Sequence, residues 1–271
     1  MFGRPCRSLW TYVALIILLC AFSGVKKLHL QVVYIGDSIT AGTGLKNPAQ
    51  TAAPALATAD LRKMPLIESA AFFNSGKSGA TTLDFLPGTA YFETVIKAAD
   101  RFYGQQKIIE NAAQSVDLLL FSIMLGTNDS AIEGTHGAPV PPDAYIRNLK
   151  VIIDSLLSRY PKAKVVIHTA PWYSDQTYNG AKYLKEGRER LISYGPKIDL
   201  LLASYEKTVP GRVFAGDRKA FHYFEKHFKK SMRPEQGHQG VFYLHPNGKG
   251  ARKLGGLWAD AIYEAVAKTA F

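Results

Sequence analysis

With 271 residues, 47% of them hydrophobic and 20% charged, the chain can bury a full core, which excludes a disordered protein and points to one α/β domain, or two at most. The formal charge of +11 is spread through helix-like segments with only short pairs such as Lys229-Lys230, so it reads as a solvated surface and nucleic acid is not an expected partner. Cys6 and Cys20 both lie near the start, which leaves the rest of the chain without a disulfide framework.

Arg4 and Arg7 precede an apolar run over residues 9–22 that ends at Ser23-Gly24. A short basic region, an apolar core and small residues form the layout of a secretory signal peptide, so residues 1–23 are expected to be a targeting segment and 24–271 the folded domain. The run falls short of the roughly 20 apolar residues of a membrane span. An uncleaved anchor is the alternative, and bulky Leu19 before Cys20 weakens a lipoprotein reading. The expected location is secreted or periplasmic, with membrane contact only through this segment.

Five apolar, β-branched runs predict buried strands over residues 29–35, 70–74, 116–125, 164–169 and 212–215. Helical spacing lies between and after them, over 51–63, 90–114, 142–159, 180–207, 219–229 and 247–267. Alternation of this kind implies right-handed crossovers and a parallel sheet covered on both faces, hence a doubly wound α/β/α sandwich of flavodoxin type. Ligands of such sheets bind beyond the carboxyl ends of the strands. Those ends carry "GDSIT", "NSGKSGATT", "LGTNDS" and "APWYS", and "YLHPNGKG" precedes the last helix.

Ser38 follows the first strand and is either a helix cap or a nucleophile, the latter only if a neighbouring base takes its proton. Asp37 reads as a turn-shaping carboxylate. Gly79 permits close backbone approach to a ligand, and Asn128 offers an amide donor; both are also ordinary turn residues. Trp172, Tyr173 and Tyr178 follow the fourth strand and would either line a cleft that stacks on sugar rings or pack locally. His168 lies inside a strand and reads as a packed core residue. His222 and His227, five apart, do not share a helix face as a metal pair would need. No HExxH, CxxC or acidic cluster occurs, and neither metal nor cofactor is expected. "AFFNSGKS", residues 71–78, fits a relaxed phosphate-loop pattern, but Phe72 and Phe73 fill its start where a compact loop of N–H groups is needed.

Four blocks, "GDSIT", "GKSGAT", "GTND" and "HPN", stand in the order and spacing of the GDSL, or SGNH, hydrolases, and the likeness spans the chain beyond the targeting segment. This resemblance implies Ser38 as nucleophile, His245 as general base, and an oxyanion hole made of the Ser38 and Gly79 N–H groups and the Asn128 side chain. Stretches such as "SGATTLDFLPG" and "GVFYLHPNGKGA" look like a branch of sialate or carbohydrate O-acetylesterases. The implied activity is release of acetyl or other short acyl groups from carbohydrates; a lipase or lysophospholipase and a catalytically silent carbohydrate-binding homologue are the alternatives. The chain departs from the family at Phe242, where an aspartate three residues before the histidine usually orients it. A backbone carbonyl, a carboxylate such as Asp217 or Glu235, or a dyad without an acid could replace it. Asp217, just past the fifth strand, is the preferred substitute, with a helix-start aspartate as its other reading.

Overall fold

The computed structural model describes residues 27–109 and 115–268, and the targeting segment read over 1–23 lies outside them. Strands β1 (Lys27–Gly36), β2 (Ile67–Gly76), β3 (Ser115–Met124), β4 (Lys164–Ile167) and β5 (Val213–Ala215) make one parallel sheet in the order β2-β1-β3-β4-β5. Among the described residues the helices are α1 (Ser38–Ala41), α2 (Pro48–Thr51), α3 (Ala53–Leu61), α4 (Ala90–Ile109), α5 (Pro142–Arg159), α6 (Leu184–Thr208), α7 (Ala220–Ser231) and α8 (Gly248–Ala267). The expected doubly wound α/β/α sandwich is the fold observed.

Leu30, Val32, Val33, Tyr34 and Ile35 of β1 are all buried without alternation, as the central strand of a sheet covered on both faces requires. Burial of each large apolar side chain contributes roughly 1.5–3 kcal/mol. On one face Tyr34 stacks on Trp258 of α8, with centroids 5.9 Å apart, and hydrogen-bonds Thr58 of α3. On the other, Phe121 meets Tyr160 at the end of α5, whose hydroxyl donates to the Ile96 carbonyl of α4.

The parallel register aligns Gly36 with Gly76 and Met124, Ile123 with Ile167, and Ile167 with Ala215. Every strand therefore delivers its next residues to one rim. Two features differ from the sequence reading. The helix expected over 180–207 begins only at Leu184, because the preceding segment is held as a loop by bridges of Lys182 to Glu133 and Tyr178. A hairpin of β6 (Met232–Gly237) and β7 (Gly240–Pro246) was not anticipated; it stands outside the main sheet and carries the residues just before α8.

Candidate active site

Ser38 is the first residue of α1, directly after β1. The helix is capped by Asp37, whose Oδ1 accepts the Ile39 N–H at 2.9 Å, so Ser38 is free of that duty. Burial pushes the Asp37 carboxyl up to about 6, partly offset by the Ile39 N–H. As the first residue of a helix, Ser38 leaves its own N–H without an intrahelical acceptor.

His245, near the end of β7, places Nε2 2.9 Å from Ser38 Oγ. Its Nδ1 lies 2.8 Å and 3.0 Å from the two carboxylate oxygens of Glu235, and its backbone N–H donates to the same carboxylate at 3.2 Å. A proton on Nδ1 held by that carboxylate leaves Nε2 as the acceptor facing the serine. Glu235 sits on β6 directly across the ladder from Phe242. Phe242 itself is buried in the core. The carboxylate absent from position 242 is thus supplied by the residue paired with it on the neighbouring strand. Burial raises the Glu235 carboxyl, but hydrogen bonds from His245 and the charges of His245 and Arg233 outweigh it and hold the group below its ordinary range.

Asp217 does not reach His245. Its two oxygens accept the Lys219 and Ala220 N–H groups at 2.8 Å and 3.1 Å, which fixes the start of α7, and its own N–H donates to His168 Nδ1 at 2.8 Å. The expected substitute acid is therefore a helix-start aspartate, its carboxylate spent on backbone N–H groups. Trp172 and Tyr173 are also corrected: both are buried. Trp172 packs on Phe228 with centroids 5.3 Å apart, and the Tyr173 hydroxyl pairs with Ser130 Oγ at 2.9 Å. Neither presents a ring face to a ligand.

Gly79 has φ +79°, in the region that favours glycine, and a Cβ built there would meet nothing within 4 Å, so its backbone faces open space. Asn128 is held from both ends of its amide: Nδ2 donates to the Ala80 carbonyl at 2.9 Å, and Oδ1 accepts from the Tyr183 hydroxyl at 2.6 Å. Burial raises the Tyr183 phenol well above its usual range, so it stays a donor and fixes which way the amide points, with the second N–H unused by Ala80. Asp129 ties the two donor segments together by accepting both the backbone N–H and the hydroxyl of Thr82. Tyr183 and Asp129 were not singled out from the sequence; a tyrosine at the end of a polar loop carries no spacing signal, and only the fold brings it to Asn128.

A void of only about 10 Å³ adjoins the Ser38–His245 pair, lined by Ile39, Ala53, Pro246, Ala251 and Leu254 among others. A larger cavity of about 470 Å³ lies between α6 and α7 near the ends of β3 and β4, lined by Tyr145, Leu191, Ile192 and Phe221, and includes neither Ser38 nor His245. Among the described residues no group of three or more His, Cys, Asp or Glu could hold a metal, and no helix is long and apolar enough to cross a membrane.

A search of curated proteins returned no match. Among solved structures the chain is similar to a carbohydrate esterase family 3 protein from Talaromyces cellulolyticus, with TM-score 0.54, 16% identity, and coverage of 89% of this chain and 99% of that one. A carbohydrate acetylesterase from Sinorhizobium meliloti gives TM-score 0.51, 17% identity and coverage of 86% and 98%. A member of the lipolytic protein G-D-S-L family from Veillonella parvula gives 0.51, 16%, 87% and 98%. At these identities the likeness shows the fold. The family model of the GDSL-like Lipase/Acylhydrolase family matches residues 34–253, from the strand before Ser38 to beyond His245, and the chain belongs to that family.

Proposed function

We propose that the protein is a serine esterase that removes acetyl or similarly short acyl groups from carbohydrate hydroxyls, O-acetylated sialic acids among the candidate substrates. The observation that carries this reading is the unbroken chain from Ser38 Oγ through the His245 ring to the Glu235 carboxylate. Glu235, at hydrogen-bond distance from His245 where Phe242 offers no acid, supports an active enzyme over a silent homologue.

His245 takes the Ser38 proton on Nε2 as Oγ attacks the ester carbonyl, and Glu235 stabilises the imidazolium that forms. The new C–O bond leaves the pair of electrons on the carbonyl oxygen, which the Ser38 and Gly79 N–H groups and the Asn128 amide would receive. Collapse expels the sugar oxygen, protonated by His245. Water, activated by the same ring, then attacks the acyl-serine and frees the acid. The carbohydrate esterases among the chain's structural relatives favour acetyl esters of sugars over the lipids of a lipase or lysophospholipase.

Export through residues 1–23 is part of the same proposal, since acetylated polysaccharides are met outside the cell. The test is a screen of aryl esters of graded chain length beside acetylated sialic acid and acetylated xylan. Turnover that peaks at acetyl and extends to an acetylated sugar supports the reading; a maximum at long acyl chains contradicts it.

A further inference from the structure

Glu235 is itself held. Arg233, two residues before it on β6 where the ladder's register shifts, donates from Nη2 to Glu235 Oε2 at 3.1 Å and from Nη1 to the Gly44 carbonyl at 3.3 Å. Gly44 belongs to the loop that follows the helix bearing Ser38. Its φ is +78°, and a Cβ there would fall 1.8–2.4 Å from the guanidinium, so the arginine lies flat on a bare glycine. The guanidinium therefore bridges two segments that no strand pairing joins: the loop behind the nucleophile and the hairpin that carries base and acid.

We propose that Arg233 is a positioning residue for the triad, a clamp that holds the Glu235 carboxylate square to His245 and ties the β6–β7 hairpin to the Ser38 segment. This rests on the reading of Ser38, His245 and Glu235 as the working unit. The planar fork matters: its two terminal nitrogens hold separate acceptors at a fixed angle, whereas the three donors of a lysine ammonium radiate from a single nitrogen on a flexible stem. The positive charge matters separately. Beside Glu235 it offsets part of the negative field that Glu235 on β6 and the buried Asp37 carboxyl beside Ser38 set at His245, so losing it favours the imidazolium and moves loss of the base to higher pH.

The rate of covalent capture of Ser38 by a fluorophosphonate, followed against pH, reads the clamp without any ester substrate. In that reaction Ser38 Oγ bonds to phosphorus, fluoride leaves and His245 takes the hydroxyl proton. Arg233→Met is expected to slow capture roughly 10- to 100-fold, since small misplacements of a reacting group cost about that much. It should also move the acid limb of the profile to higher pH. Arg233→Lys should return the limb towards its original position while recovering only part of the rate. Gly44→Ala, which pushes the guanidinium away from a different segment, should reproduce the slower capture and add little when combined with Arg233→Met.

An Arg233→Met protein with an unchanged limb and rate, altered only in thermal stability, overturns the clamp while leaving the esterase reading intact. Full capture with no turnover of any ester overturns the substrate reading and leaves the clamp standing. Failure of the unaltered protein to be captured overturns both.

Discussion

Among the described residues two serine–histidine pairs share the same Oγ to Nε2 separation, 2.9 Å: Ser38 with His245, and Ser122 with His168. Distance alone does not separate them; what faces Nδ1 does. His168 Nδ1 accepts the Asp217 backbone N–H, so the ring's proton sits on Nε2 and is donated to Ser122. Such a ring cannot take a serine proton. His245 Nδ1 faces a carboxylate, which keeps the proton there and turns Nε2 into the acceptor. Their surroundings differ in the same sense. His168 is fully buried and stacked on Trp258, and burial, with a smaller contribution from the Arg218 charge, pushes it down to about 3. His245 lies near the end of β7 at the rim, its ring facing Ser38 and the half-buried Glu235 carboxylate. One pair is a core hydrogen bond and the other has the geometry that the proposed proton transfer needs, and a single neighbour of Nδ1 makes the difference.

The largest expected contrast is between the two serines. Ser38→Ala should lower esterase turnover roughly 10⁵–10⁶-fold with the fold intact, because loss of a nucleophile removes the whole unit. Ser122→Ala should leave turnover close to unchanged and destabilise the protein by about 1–3 kcal/mol through the stranded Nε2–H of His168. Equal activity loss in both variants, measured with a short-chain aryl ester, would erase the distinction.

The two rings should also answer pH differently. An unfolded histidine titrates near ~6.5. Because His168 is depressed to about 3 in the folded state, its neutral ring contributes stability that is complete above pH ~6.5 and is lost as pH falls towards 3. Several kcal/mol are at stake in that window, on the order of one and a half per pH unit. His168→Asn keeps an acceptor for the Asp217 N–H and removes the titration. Its unfolding free energy, from denaturant curves, should be lower at pH 7 yet flatter between pH 6 and 4, and an unflattened curve would show that acid sensitivity arises elsewhere.

Asn128→Ala should reduce kcat about 10²–10³-fold, about 2.7–4 kcal/mol of transition-state stabilisation, with little change in KM. The smallest effect belongs to the support behind it: Tyr183→Phe removes one hydrogen bond to Oδ1, worth about 0.5–1.5 kcal/mol, and should cost at most about tenfold in kcat. A Tyr183→Phe loss as large as that of Asn128→Ala would mean that the hydroxyl itself meets the substrate.

The fold and half of the site were legible in the sequence for a common reason. Consecutive buried residues such as Val32 to Ile35 mark a strand of a covered parallel sheet, and parallel strands deliver whatever follows them to one rim. Ser38, Gly79 and Asn128 each follow a strand, so chain order sufficed to bring them to one rim. Glu235 depended on something chain order does not express, the register of a hairpin whose first strand, Met232–Gly237, holds a proline and a glycine and shows no alternation of apolar residues. Asp217 stood at the right rim, yet its carboxylate was spent on the turn that begins α7. Trp172 and Tyr173 failed for a related reason: an aromatic after a strand can face a cleft or fill the space beneath the loop, and only the path of the loop over 174–183 decides.

The claim that Glu235 sets the state of His245 is tested most directly by measuring kcat/KM of Glu235→Gln beside Asp217→Asn on one short-chain aryl ester. A glutamine keeps the shape but no longer enforces the proton on Nδ1, so Glu235→Gln should lose about 10³–10⁴-fold, while Asp217→Asn should stay within about tenfold of the unaltered protein. Retained activity in Glu235→Gln together with a collapse in Asp217→Asn would contradict the account.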